Sequence, residues 1–164
     1  MKHIFIKLLL SITLVCAMSS AYADAANKQG VEGLSTELRT LLQKEMIAVD
    51  AAMKDIISAN ATGDTQKISL IAKQIKDSFI LKQNLSSDQK HELHTTLSSD
   101  FIKQDQDFHY YAGMLEHAAE NNKSELIGFY YSRLFDACSN CHRTHAKYKF
   151  QYFGSAITEM KHEH

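Results

Sequence analysis

The chain has 164 residues with 18 basic and 19 acidic side chains, for a formal net charge of -1. That balance argues against a nucleic-acid binder, which needs a basic surface, and no apolar run reaches the length of a membrane span. Three cysteines are too few for a disulfide-stapled secreted scaffold, so those present need a local explanation.

Residues 1–23 read as a secretory signal peptide. Lys2 and Lys7 precede the apolar run from Leu8 to Met18, and Ala21-Tyr22-Ala23 is the small-x-small pattern before a cleavage site. Cys16 follows the bulky Val15, where a lipid-anchor motif wants a small residue, and is expected to leave with the signal. The expected location is therefore the periplasm, reached by export across the inner membrane. Losing two lysines and no acid takes the mature 24–164 chain from -1 to -3. Those residues are expected to form a single domain of adequate size for one core.

With no proline and only six glycines, the segments between breakers can be long helices. Leu34, Leu38, Leu42, Met46, Val49, Met53 and Ile56 recur in steps of three and four, predicting a helix from Leu34 to about Asn60. Asn60-Ala61-Thr62-Gly63-Asp64 then supplies a stop, a turn and an N-cap. A second helix is predicted from Thr65 to about Leu85 on Ile68, Ile71, Ala72, Ile75 and Phe79. Ser86 and Gln89 have capping-box spacing for a short turn around His91 to Leu97. The third long helix should start near Asp100, carry Phe101, Phe108, Ala112 and Leu115, and stop at Asn121-Asn122. The fourth should run from about Ser124 to Tyr148 on Leu126, Phe129, Leu134, Ala137, Cys141 and His145. Four such helices on short turns predict an all-α, antiparallel up-down four-helix bundle.

Cys138-Ser139-Asn140-Cys141-His142 is a C-x-x-C-H run, the attachment signature of c-type haem. On a helix, residues three and four apart share a face. Cys138 and Cys141 thus present two thiols side by side for the two vinyl groups of one porphyrin, and His142 can ligate its iron. Zinc is a rival reading, wanting four ligands where one pair stands alone, although His145, His162 and His164 are within the chain's means. A redox dithiol would want a βαβ context, and a disulfide across two residues staples almost nothing.

A C-x-x-C-H motif near the end of a helical bundle, behind a signal peptide, resembles the class II c-type cytochromes, the cytochrome c′ family. The likeness runs from Leu34 to about Tyr148 and includes Arg39 early in the first helix, the Gly63-Asp64 turn, and Phe101-Ile102 and Phe108-His109 on the third helix. It implies one covalent haem c held by Cys138 and Cys141, with His142 as proximal iron ligand. It also implies that the residue over the other side of the iron comes from the first helix, about one turn after the arginine. One turn from Arg39 reaches Gln43, flanked by Leu42, and Met46 lies a turn further along the apolar face. Met46 as sixth ligand would make an electron carrier; Leu42 or Gln43 shielding an open iron would make a five-coordinate binder of NO or CO. Met53 reads as core. The chain departs from the family after His142, where His145 and Ala146 stand in place of an aromatic and a basic residue, with Lys147 next.

The expected function is electron transfer with redox partner proteins rather than enzymic catalysis, and family likeness allows a homodimer. No paired carboxylates are expected in a shared apolar setting. His109 is expected at the bundle surface or in a polar contact, His91 and His94 in solvent.

Overall fold

The computed structural model describes residues 30–78, 84–150 and 152–153. The signal-peptide reading of residues 1–23 and the histidines of the tail lie outside them. Among the described residues there are five α-helices and no strand: α1 Thr36–Ala61, α2 Thr65–Asp77, α3 Ser87–Thr96, α4 Ser99–Glu120 and α5 Ser124–His145, after a short 3-10 turn at Gly30–Gly33. None of them is long and apolar enough to cross a membrane.

Short polar side chains set most of the helix starts. Ser35 accepts from the Leu38 amide, Asp64 from Lys67 and Ser98 from Phe101, each satisfying an amide that the first turn leaves without a helical partner. Ser86 and Gln89 form a full capping box. That box makes the expected short turn into a helix of its own, separated from α4 by the extended backbone of Leu97. The described residues therefore form five α-helices where a four-helix bundle was expected. α2 also ends earlier than Leu85: the Ser78 hydroxyl donates to the Ile75 carbonyl, competing with helix continuation. Gly63, at φ +72, takes the left-handed turn between α1 and α2 without strain, and Asn122, at φ +53, does the same between α4 and α5.

α1 packs against α2, α2 against α4, and α4 against α5, while no comparable packing joins α1 to α5. The interior divides into two apolar clusters. The larger joins Val49, Met53 and Ile56 of α1 to Ile68 and Ile75 of α2, Phe108 and Leu115 of α4, and Ile127 and Leu134 of α5. The smaller gathers Leu34, Leu38 and Leu42 with Leu85, Leu93, Leu97 and Phe101. Leu38, Leu115 and Leu134 are wholly buried, each contributing roughly 1.5–3 kcal/mol of apolar burial.

Between the clusters lies a polar layer. Glu45 sits between Leu42 and Val49 on the inward stripe of α1, and Asp105 between Phe101 and Phe108 on that of α4. Both are buried, as is His109 one turn after Asp105.

Candidate functional site

The open side of the bundle, between α1 and α5, holds a cavity of about 850 Å³ that adjoins a second of about 360 Å³. Both lie within the usual range of cofactor and ligand sites. Met46, Asp50, Asp105, Cys141 and His142 line both cavities. The two form one cleft, with α1 and α5 as walls and α4 as floor.

α5 carries the thiols into this cleft because its inward stripe runs through Ile127 and Leu134 and continues into Ala137 and Cys138. Cys138 packs against the larger cluster and Cys141 against the smaller, so the C-x-x-C pair spans the boundary between them. Both cysteines are free thiols and half-buried. Burial pushes each thiol up to about 11, which keeps both protonated at neutral pH. His142 follows on the same face, its imidazole stacked on Phe150. Burial, with a smaller contribution from the Lys149 cation, holds His142 below its ordinary value and so favours the neutral, ligating form.

The α1 wall brings in the remaining sequence candidates. Arg39, Leu42, Gln43 and Met46 line the larger cavity with Cys141 and His142; Cys138 lines the smaller one, again with Met46. Arg39 also stands 3.9 Å from the Glu32 carboxylate in a half-exposed pair, a geometry worth little in water. Met53 is buried in the larger cluster and borders the smaller cavity as well. Exposed Ile47 and Tyr148 border the larger cavity, and Ile57 and Phe135 the smaller. These large exposed apolar side chains give the cleft a hydrophobic rim.

The residues present fit a covalently held porphyrin. Two thiols and one imidazole share the cleft, the walls are largely apolar, and Arg39 and Lys149 border the larger cavity as cationic partners for carboxylates. Among the described residues, no three of His, Cys, Asp and Glu stand close enough together to hold a metal ion by themselves. His145 borders the larger cavity too, with Nε2 3.2 Å from Asp100 Oδ2 and its ring edge-on to Phe101.

One expectation is met in part and another is corrected. His109 makes the expected polar contact but is not at the surface: its Nδ1 lies 2.7 Å from the Ile75 carbonyl oxygen, and its Nε2 lies 3.3 Å from Glu45 Oε1 and 3.7 Å from Asp105 Oδ1. Paired carboxylates do share an apolar setting, because Glu45 and Asp105 occupy core positions of facing helices and meet across that imidazole. Burial by itself would lower the His109 pKa; the facing side chains of Asp105 and Glu45 outweigh it and raise the value to about 9. His91 and His94 are exposed, as expected. Sequence reading missed Asp105 and Phe150, both lining the cleft.

No family model, no curated protein and no solved structure matches the chain.

Proposed function

We propose that the chain is an exported, periplasmic monohaem cytochrome of the class II type that transfers electrons through covalently bound haem c. The observation that carries the reading is the shared cleft: Cys141 and His142 on α5 and Met46 on α1 line the same two cavities, with Cys138 on the wall of one.

In this reading Cys138 and Cys141 would hold the haem through two thioethers, and His142 and Met46 would be the residues offered to its iron. The bound haem would supply a one-electron ferric–ferrous couple. Arg39 and Lys149 would offer charge to its carboxylates, Phe150 orients the His142 ring, and the apolar walls would limit the access of water. Redox partner proteins would reach the haem edge at the cleft mouth beside Ile47 and Tyr148.

A second reading draws on Leu42, a buried apolar side chain on the cavity wall. With Leu42 or Gln43 over an open iron, the protein would bind NO or CO.

The purified protein is expected to stay red after acid–acetone extraction, to give a low-spin spectrum and to be unmoved by carbon monoxide. A high-spin spectrum that shifts with the gas would transfer the function to gas binding. A colourless protein, or colour extracted into solvent, would return the cysteines to a zinc or disulfide role in a haem-free helical module. Cys138→Ser and Cys141→Ser should each leave a single thioether, and the double variant should lose its haem to the solvent.

A further inference from the structure

The buried layer of Glu45, His109 and Asp105 has no part in attaching a cofactor, and it carries a cost. Taking a charge out of water is unfavourable by several kcal/mol, and apolar replacements of buried ion pairs are often neutral or stabilising. α1 and α4 nevertheless interrupt their apolar stripes with acids at the level where the two clusters meet, which is where Cys138 and Cys141 straddle them. Glu45 is 5% exposed, Asp105 8% and His109 6%.

Asp105 is the member that reaches the cleft. It lines both cavities together with Cys141 and His142, and its Oδ2 is buried without a hydrogen-bond partner among the described residues. The other carboxylate oxygen faces His109, whose ring also meets Glu45 from α1 and the Ile75 carbonyl from α2. Asp105 thus presents an acidic side chain to the cleft wall on one side and to His109 on the other.

We propose that Asp105, held by His109, is a positioning residue that keeps a fixed negative charge beside the haem and so lowers its reduction potential. The inference rests on the haem reading above. Reduction adds one electron from a one-electron redox protein to ferric iron and forms no new bond; the ferric state carries one more positive charge than the ferrous. A buried carboxylate therefore stabilises the ferric state more, because Coulomb interactions fade slowly in the low-dielectric interior.

The test is the midpoint potential of the full, haem-loaded chain at neutral pH, with haem content measured by pyridine haemochrome. Asp105→Asn is expected to shift the midpoint upward, while Asp105→Glu, which keeps the charge, should hold it near wild type. Should Asp105→Asn fail to fold, Glu45→Gln removes the other carboxylate and should also raise the midpoint. A haem-loaded, folded Asp105→Asn protein at the wild-type potential overturns this proposal alone. So does an equal shift in Asp105→Glu, which would point to packing rather than charge. A wild type without covalent haem overturns both this proposal and the function on which it rests.

Discussion

The imidazole of His142 lies stacked on the phenyl ring of Phe150, with centroids 4.2 Å apart and planes 18° from parallel. Phe150 comes from beyond the end of α5, so the segment after the helix folds back on its last turns. Phe150→Ala should lower stability by about 1 kcal/mol through loss of the stack, read as a lower urea midpoint. In the haem-free double cysteine-to-serine chain, the His142 pKa should move up toward the ordinary histidine value as the ring gains water, followed by NMR titration. An unchanged midpoint and an unmoved titration would show that the stack does not hold the imidazole.

Met46 borders both cavities with His142. Met46→Ala should convert a low-spin ferric spectrum to high-spin and make the ferrous protein responsive to carbon monoxide, while leaving the covalent haem content at wild-type level. A spectrum unaltered by the substitution would assign the sixth position to another residue.

His109 gives the fold a pH dependence of definite sign. Its pKa rises from 6.5 in the unfolded chain to about 9 in the fold, because the facing Asp105 and Glu45 side chains overcome the opposing effect of burial. The folded chain thus binds the proton more tightly than the unfolded one. The stabilisation is whole below the unfolded value and is lost as pH climbs through the folded one. Urea midpoints measured between about pH 6 and 10 should fall across that window by an amount equivalent to a few kcal/mol, and the fall should be absent in His109→Gln. Equal slopes in the two proteins would reject the assignment.

Leu134 is wholly buried one helical turn before Cys138. Leu134→Ala should cost roughly 2–5 kcal/mol, and the loss should be larger than that of Leu126→Ala, on the exposed face of the same helix. Comparable losses at the two positions would contradict the burial pattern of α5.

The positions of the helices were legible from apolar spacing and caps, but not every face: Leu126 and Phe129, read on the apolar stripe of α5, are exposed, and Ile127 is buried instead. Leu38, Leu42, Val49, Met53 and Ile56 form the inward stripe of α1 as their spacing implied, and Asp64 caps α2. The early end of α2 was not legible, because Phe79 prolongs the apolar pattern past the residue whose hydroxyl turns back onto Ile75. On α4, Phe101 and Phe108 point inward as read. Asp105 was hidden by its chemistry: an acid in an apolar register reads by default as a solvated side chain. The signal was nonetheless present, since Phe101, Asp105, Phe108 and Ala112 keep steps of four, three and four, and Leu42, Glu45 and Val49 keep three and four. Phe150 had no such signal, lying in a non-helical segment whose fold-back depends on its partner.

The division of the interior into two apolar clusters also bears on how the molecule breathes. Cooperative opening follows contiguous packing, so the cluster around Leu38 and Leu93 can loosen while the one around Leu115 and Ile127 stays closed. Cys138 belongs to the edge of one and Cys141 to the edge of the other. In the haem reading, a rigid ring bonded to both sulfurs would fasten the halves together, and the amides of the two clusters would then exchange as one block.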